Sequence, residues 1–269
     1  SVDCYTGGTE HITRHVLYAF FWQNFLYEIG AVPTRDPFIR KMGSGLILDD
    51  EGKKMSKSSK NGVSPLAVID KYGADVARLH VHFLAGYEDN CMWTFKGIEG
   101  IVNFLDRVWK LQEIIKGEEV SKEHEVELNA LIKKLEEDYE NLKLNTAISA
   151  CMIFMKKIKA DGYITKEELR QFLIVLNPLA PHMTSEIFER VFNHDILNES
   201  WPKYDETKTQ KQEVNLPIQI NGKMKGTITV ALDMPQQEVE NLVYQTGKVE
   251  QNQVKKIIYV PNRIINFII

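Results

Sequence analysis

The chain is organised around the stretch Lys53-Lys54-Met55-Ser56-Lys57-Ser58-Ser59-Lys60, in which four lysines and three serines surround one apolar side chain. Gly52 precedes this stretch and Asn61-Gly62 follows it. Glycine and asparagine favour turns, so the sequence predicts an irregular loop rather than a helix or a strand. Lysine ammonium groups and serine hydroxyls can surround a polyphosphate and stabilise charge that develops there. A solvated basic turn is the simpler interpretation, and composition alone favours it.

The composition is typical of globular protein. With 269 residues, 43% of them hydrophobic, the chain is long enough for two or three units with their own cores. The net charge of −4 gives no global sign of nucleic-acid binding, which would need local basic patches. Cys4, Cys91 and Cys151 are widely separated and form no CxxC pair, which argues against a disulfide framework or a zinc site and favours a reducing, cytoplasmic setting. No apolar run reaches membrane-spanning length and no signal peptide is evident, so no membrane association is expected.

The N-terminal pattern predicts a strand, a turn and a helix. Residues 2–6 are typical of a short buried strand, Gly7-Gly8 of a turn, and Thr9 of the cap of a helix over 10–28 that Gly30 ends. In an open α/β sheet, ligands bind at the C-terminal ends of such strands.

Three polar residues therefore come to the mouth of a possible site, namely Glu10, His11 and His15. The two histidines are four residues apart and share one helix face. They have no evident third ligand for a metal, and a partly buried, hydrogen-bonded histidine is the simpler alternative.

Short elements flank the lysine-rich loop. Residues 31–40 are expected to be a connector, and residues 45–48 a second short strand that leads into the loop. Two helices are predicted after it, over 65–72 with Pro65 at the first position and over 75–84.

The middle of the chain is wholly helical in pattern. Apolar residues recur at helical spacing from Phe95 to Phe192 and predict five helices, which together form a bundle. Thr165 and Glu168 have the spacing of a capping box at the start of the fourth helix. Residues 205–212 are polar and are expected to be a linker.

The tail is predicted to be a small ββαββ module. Strands are expected over 214–220 and 224–230 around an Asn221-Gly222 turn, then a helix over 235–246. Two further strands follow, over 255–260 and 264–268. The module carries a local excess of positive charge: Lys223, Lys225, Lys248, Lys255, Lys256 and Arg263. Ordinary surface lysines are one interpretation, and a phosphate-backbone contact surface is the other.

Several of these stretches together resemble the leucyl-tRNA synthetase family of class I aminoacyl-tRNA synthetases. Residues 54–58 match the KMSKS signature letter for letter, and residues 7–19 are similar to the family's GGxEHxxxHxLYA segment. Further similar stretches occur in the family's order: Lys71 to Arg78, Phe104 to Trp109, Leu179 to His182, Ser200 to Pro202 and Asn221 to Lys223.

The resemblance implies a multidomain, mainly α protein. Residues 1–94 would be the C-terminal part of a Rossmann-like catalytic domain that carries the KMSKS loop, and residues 95–204 an α-helical anticodon-type tRNA-binding domain. After the linker 205–212, residues 213–269 would be a small α+β C-terminal tRNA-binding domain. The HIGH signature occurs nowhere in the sequence. We therefore expect a C-terminal portion of the enzyme that lacks the HIGH half and the editing domain and is inactive alone.

The resemblance also implies a reaction, the activation of leucine by ATP with Mg²⁺ and its transfer to tRNA(Leu). Lys54 and Lys57 would be catalytic by meeting the phosphates. Other expected ATP contacts are Gly8, Glu10, His11, Gly45, Leu46, Ile47, Met55, Ser56 and Ser58. His11 and His15 would also lie near the leucine pocket. Expected tRNA contacts are Lys60, Lys223, Lys225, Lys255, Lys256 and Arg263. No protein-bound metal is expected, and the protein would be a monomer.

Two departures and two alternatives remain. The usual family form has glycine where Lys60 stands, and the glycine appears here at Gly62, which puts the hinge of the loop in question. Phe20 replaces a common arginine, so no arginine role is carried to it. A stand-alone tRNA-binding module and a non-catalytic helical scaffold are the alternatives, and neither explains a retained KMSKS loop.

Overall fold

A parallel pair of strands opens the computed structural model, which describes residues 2–56, 58–209, 213–249 and 253–269. Strand β1, Val2–Gly8, pairs with β2, Phe38–Ser44, in a register that joins Gly8 to Ser44. Helix α1, Leu17–Glu28, connects the two strands after a 3₁₀ turn and a π-type turn. The strand-to-helix unit predicted from the sequence is therefore confirmed.

Local details of this unit were predicted wrongly. Gly7 and Gly8 lie within β1 rather than in a turn, and Thr9 makes no side-chain cap because it begins the 3₁₀ turn. Strand β2 starts inside the predicted connector, at Phe38. Phe38 and Met42 are its buried residues. The predicted strand over 45–48 shortens to β3, Ile47–Leu48, which pairs with β4, Cys91–Met92.

The expected burial of this N-terminal unit is also wrong for the described chain. The side chains of Val2, Asp3 and Cys4 in β1 are exposed. Helix α1 has no buried residue, and large apolar side chains on it face outward: Leu17, Tyr18, Phe21, Trp22 and Phe25. Among the described strands β1 pairs with β2 alone, so the sheet beside α1 is only two strands wide.

Seven helices pack around one continuous core. They are α2, Pro65–Tyr72; α3, Ala74–Leu84; α4, Ile98–Trp109; α5, Glu125–Glu140; α6, Leu144–Asp161; α7, Lys166–Leu176; and α8, Pro181–Phe192. The core runs from Val68 in α2 to Ile196 and includes Phe104, Phe172 and Phe188, all fully buried. The five predicted bundle helices are confirmed, and the two short helices after the lysine–serine loop share their core.

Helix α3 is attached to α8 by two side chains. The Asp75 carboxylate accepts hydrogen bonds from Met183 N at 2.7 Å and His182 N at 3.3 Å, and so caps the N-terminus of α8. One turn later, the Arg78 guanidinium donates to Pro178 O at 3.1 and 3.2 Å. Carboxylates are favoured at helix N-termini, where unpaired N–H groups and the helix dipole are positive.

A buried polar network joins α6, α7 and the segment before α5. His124, fully buried, places Nδ1 2.8 Å from Glu168 Oε2 and Nε2 2.9 Å from Asp161 Oδ2. Glu168 is also fully buried, closes the predicted capping box with Thr165, and accepts from Ser121 N and Oγ at 2.7 Å. Burial acts to raise the pKa of Glu168, but these hydrogen bonds outweigh it and the pKa lies below its ordinary 4.5. The stabilisation is therefore complete above pH 4.5 and is lost as the pH falls through the lowered value.

The tail, in the unit Asp205–Ile269, is the predicted ββαββ module. Its sheet has the order β6-β5-β8-β7, with central strands β5 and β8 parallel. The elements are β5, Glu213–Ile220; β6, Lys223–Ala231; α9, Gln236–Gln245; β7, Lys256–Val260; and β8, Ile264–Ile268. Leu216, Ile218 and Phe267 pack with Val239 and Val243 of α9 in a core of their own. The first unit, Ser1–Tyr204, holds all the elements before it. Of the predicted linker, 206–208 form a 3₁₀ turn and 210–212 lie outside the described residues.

We expect His124→Ala to lower the free energy of unfolding of the helical unit by about 3 kcal/mol, because it leaves the Glu168 carboxylate buried with fewer partners. Urea denaturation followed by circular dichroism measures this. His194→Ala is the matched control, since His194 also pairs with a carboxylate, Glu199 at 2.7 Å, but on an exposed side chain. Its effect should be much smaller. Equal losses for the two variants would contradict a special role of the buried network.

Candidate functional site

The lysine–serine loop, defined here as residues 54–60, begins at the end of a tight turn. Asp49 N–H donates to Lys53 O at 2.9 Å, and Leu48 forms an antiparallel bridge with Lys54. The turn therefore returns the chain to the end of β3, so that Lys54 starts the loop beside the sheet.

Ser56 is the centre of a hydroxyl cluster within the loop. Its Oγ lies 3.1 Å from Ser58 Oγ, donates to Ser59 Oγ at 2.7 Å and accepts from Ser59 N at 3.1 Å. These bonds shape the second half of the loop, and Met55 in its first half is half-buried. Lys57, expected from the resemblance to be catalytic, lies outside the described residues.

Lys60 is the left-handed residue of the loop, with φ of 53°. The positive φ therefore occurs at the position where the resemblance places glycine. Gly62, the glycine that this chain has instead, does not have a positive φ. A residue with a side chain costs about 1 kcal/mol in this conformation. The side chain of Lys60 is exposed.

Lys54 meets Glu10 across the site. Its Nζ lies 3.4 Å from Glu10 Oε1, which joins the loop to the residues that follow β1. The pKa of Glu10 is lowered, chiefly by a hydrogen bond from its own backbone N–H and further by Lys54. The carboxylate is therefore ionised at neutral pH and remains a hydrogen-bond acceptor.

A crevice of about 330 Å³ opens at the C-terminal end of β1. Gly8, His11 and His15 line it, as the strand-to-helix unit predicts. His11 directly precedes the π-type turn Ile12–Val16 and His15 lies within it, and such a distortion is frequent at functional sites. His15 Nε2 is hydrogen-bonded to the Tyr5 hydroxyl.

Sequence reasoning missed two residues of this crevice, Tyr5 and Lys41. The ammonium of Lys41 donates to Gly7 O at 2.8 Å and Met42 O at 3.0 Å, so it fixes a positive charge in the wall. Lys41 lies in strand β2, which was not predicted, and the sequence Phe38–Ser44 shows no clear alternation of apolar and polar residues that could have indicated it.

Gly45, Leu46 and Ile47 line a second crevice, of about 250 Å³, together with His82 and Cys91. Gly45 N donates to Tyr87 O at 2.9 Å, and Leu46 N to Asn90 Oδ1 at 2.7 Å. The structure therefore brings Gly8, Glu10, His11, His15 and Lys54 to one region. Residues 45–47 line the second crevice instead, and the backbone N–H groups of residues 45 and 46 are already hydrogen-bonded.

Five lysines of the tail converge on one end of its sheet. At this end of the sheet β5 leads into β6, because Ile220 pairs with Lys223. Strand β7 also begins there, beside the last residues of β8, because Lys256 pairs with Ile268. The residues are Lys223, Lys225, Lys248, Lys255 and Lys256, all exposed. Lys248 joins them because its Nζ lies over Gly226, and we call this group the lysine end.

Arg263 does not belong to the lysine end. It lies in the β7–β8 turn at the opposite end of the sheet, where Asn262 bonds to Asp233. Over 223–249 and 253–269 the acidic residues are Asp233, Glu238 and Glu240, on the β6–α9 connection and α9. In this described part of the tail, no ion pair neutralises the lysine end.

The described residues contain no group of three or more histidine, cysteine or acidic side chains arranged to hold a metal ion. Among the described helices, none has the length and apolar character needed to cross a membrane.

Two family models match the chain. The model for class I tRNA synthetases (I, L, M and V) matches residues 12–94, and the model for the anticodon-binding domain of tRNA ligase matches residues 122–241. The first covers α1 and the lysine–serine loop, and the second covers most of the helical bundle.

Individual relatives agree with these models. The chain is similar to a leucine–tRNA ligase from Alkaliphilus oremlandii (strain OhILAs), with 39% identity over all of this chain and 34% of that protein. It is also similar to a LeuRS from Agrobacterium radiobacter K84 in a ternary complex with tRNA and LeuAMS, with 28% identity and a TM-score of 0.73 over 99% of this chain and 38% of that one. A methionyl-tRNA synthetase from Mycobacterium tuberculosis shares the fold, with 15% identity and a TM-score of 0.52 over 75% of this chain and 47% of that one.

The strand-to-helix unit, the KMSKS sequence and the helical bundle, with both family models, place this segment in the class I aminoacyl-tRNA synthetases. Within that class the chain belongs to the leucine–tRNA ligase family. It spans about a third of the length of the curated relative, 34%.

We expect Gly45→Ala to lower the free energy of unfolding of the first unit by about 2 kcal/mol, since an added Cβ would lie 2.0 Å from Asp89 O, a backbone atom that cannot turn away. Denaturant unfolding measures the change. Gly62→Ala is the control, because a Cβ there meets nothing within 4 Å and φ is not positive. An equally large loss of unfolding free energy in the control would show that helix or loop propensity causes the change, and not the approach of the added Cβ to Asp89 O.

Proposed function

We propose that this chain contributes to leucine–tRNA ligation, the ATP-dependent activation of leucine and its transfer to tRNA(Leu). The observation that carries the proposal is the contact between Lys54 of the KMSKS sequence and Glu10 at the mouth of the crevice. Two residues 44 positions apart meet where β1 ends, which is where nucleotides bind in α/β sheets.

The proposed chemistry is displacement at the α-phosphate of ATP, with the leucine carboxylate attacking and pyrophosphate leaving. Lys54 and Lys57 stabilise negative charge on the phosphates, together with the Mg²⁺ that accompanies ATP. Glu10, ionised and an acceptor only, suits the ribose hydroxyls. Gly8 leaves room for the nucleotide, and His11 and His15 lie between it and leucine. The residues bind and orient the reactants, and none needs to transfer a proton.

The exposed apolar face of α1 supports a requirement for further protein. Leu17, Tyr18, Phe21, Trp22 and Phe25 present a continuous aromatic and aliphatic surface, which soluble proteins rarely leave in water. We propose that the rest of the catalytic domain, including the HIGH half, covers this face and completes the ATP and leucine sites. Isolated, the chain would bind substrates incompletely and be inactive.

The test is leucine-dependent ATP–pyrophosphate exchange. The chain alone should show none above background. A hybrid in which this segment replaces the aligned region of the Alkaliphilus oremlandii ligase should catalyse the exchange. Lys54→Ala in the hybrid should lower kcat about 100-fold, as expected when one donor to the developing charge is removed.

Lys53→Ala is the matched control in that hybrid, because Lys53 is the adjacent lysine and its ammonium pairs with Glu51 at 2.6 Å on an exposed side chain. Its exchange rate should stay close to that of the parent. Exchange by the chain alone, or equal rates for the two lysine variants, would contradict the proposal.

We further propose that the lysine end is the tail's contact with the tRNA backbone. Lysines gathered at one end of the sheet can meet phosphates of one RNA face, whereas Asp233, Glu238 and Glu240 of the described tail lie on the β6–α9 connection and on α9. Lys223, Lys225, Lys255 and Lys256 keep the proposed tRNA role, and Lys248 joins them. Arg263 is left out of this surface, and Lys60 stays with the loop near the acceptor end.

We expect the fourfold variant K223A/K225A/K255A/K256A of the whole chain to bind a tRNA(Leu) transcript about tenfold more weakly at 100 mM salt. The dependence of log K on log salt should become shallower by about 0.9 for each phosphate that the variant no longer neutralises. Filter binding across a salt series measures both. Lys223→Ala and Arg263→Ala each remove one charge, and only the first should weaken binding. An Arg263 effect equal to that of Lys223 would contradict a tRNA contact confined to the lysine end.

The second candidate is a tRNA-binding module without a catalytic role, which the lysine end and the helical bundle would also serve. Failure of exchange in the hybrid with intact tRNA binding by the chain would favour this candidate.

A further inference from the structure

Asp49 stands at the foot of the lysine–serine loop and is largely buried, with 8% of its surface exposed. Its Oδ1 accepts hydrogen bonds from Glu51 N at 3.1 Å and Lys53 N at 2.7 Å. Its Oδ2 accepts from Asn61 Nδ2 at 2.6 Å. The carboxylate therefore joins the chain before the loop to the residue that follows it.

Asn61 uses both ends of its side-chain amide. Its Oδ1 accepts from Ser56 N at 3.0 Å, while Nδ2 donates to Asp49 and lies 3.3 Å from Lys54 O. One side chain thus contacts the foot of the loop, its first residue and its third. The donor and acceptor pattern fixes the orientation of the amide, because a reversed amide would face Ser56 N with a donor.

We propose that Asp49 and Asn61 form a latch that closes the lysine–serine loop and positions Lys54 toward Glu10. Both are positioning residues rather than catalytic ones. The role of the latch in ATP binding rests on the proposed function, whereas the latch itself does not.

The physical reason for a latch is the composition of the loop. The lysines repel one another, and neither they nor the serines add apolar contacts that would hold the loop. Ordering each residue also costs conformational entropy. A charge-assisted hydrogen bond is shorter and stronger than a neutral one, and the 2.6 Å bond between Asn61 and Asp49 is of this kind. Hydrogen bonding by Asn61 is also the main cause that lowers the pKa of Asp49, so the carboxylate stays charged at neutral pH.

Limited trypsin cleavage after Lys54 tests the latch in the chain itself, because cleavage reports how often the loop opens. Asn61→Asp places two carboxylates against each other and should speed cleavage about tenfold or more. Asp49→Asn should speed it less, since an amide keeps the two backbone bonds but faces Asn61 with a donor.

The double variant D49N/N61D exchanges donor and acceptor across the same hydrogen bond and should return cleavage most of the way to the wild-type rate. The longer bond from residue 61 to Lys54 O is not restored, because a carboxylate has no proton to donate. Such rescue is not expected of two residues that act independently. Asp50→Asn is the matched control: the same substitution at the next residue, an exposed carboxylate, and the rate should not change. None of the substituted residues is adjacent to the bond after Lys54.

Wild-type cleavage in Asn61→Asp, or no rescue in the double variant, would overturn the latch. Added ATP tests the positioning role in the hybrid ligase, where the proposed ATP site is complete. ATP should slow cleavage after Lys54 in the parent hybrid, and the ATP concentration for half protection should rise about fivefold in Asn61→Asp and fall again in the double variant. An unchanged concentration in Asn61→Asp would make the latch purely structural and overturn its positioning role. No protection of the parent hybrid would count against the proposed ATP site and against positioning for ATP, while the cleavage rates of the chain itself still decide the latch.

Discussion

The carboxylate of Asp75 joins the loop-bearing part of the chain to the helical bundle. It lies at the start of α3, 7% exposed, and caps the N-terminus of α8 across more than a hundred residues of sequence. Arg78 holds the preceding carbonyl of Pro178 from the next turn. Because a buried carboxylate is costly without partners, α3 and α8 can pack only in the arrangement that supplies these N–H groups. Helix α2, which follows the loop, packs through Val68 into the core that α3 shares.

The two parts joined in this way differ in how well they are buried. The bundle core is closed, and its buried histidine and glutamate have their hydrogen bonds satisfied. The unit of β1, α1 and β2 keeps its sheet pairing but leaves the large side chains of α1 in water. Backbone hydrogen bonding is local to a pair of strands, whereas burial needs a second layer. A βαβ unit can therefore keep its shape while its outer face is exposed.

Charge is arranged locally rather than globally in this chain. A net charge of −4 conceals a lysine end in the tail and a lysine-rich loop in the first unit. In the loop, Asp49 and Glu10 offset the lysines at two points, through Asn61 and Lys54 respectively. In the described part of the tail, both edge strands begin at the same end of the sheet, which gathers lysines there, while Asp233, Glu238 and Glu240 lie on the β6–α9 connection and on α9. Positive charge is therefore available to phosphates at two places in an acidic protein.

The sequence by itself determined the element types, the helical bundle, the ββαββ tail and the family, because periodicity, caps and ordered motifs are local signals. It failed at β2 and at the Gly7-Gly8 turn, where pairing with a distant strand overrides local turn preference. It could not identify Tyr5, Lys41 or the contacts of Asn61, and it grouped Arg263 with lysines at the other end of a sheet. Only the tertiary structure decided these, because the distance between side chains depends on register and packing between segments far apart in sequence.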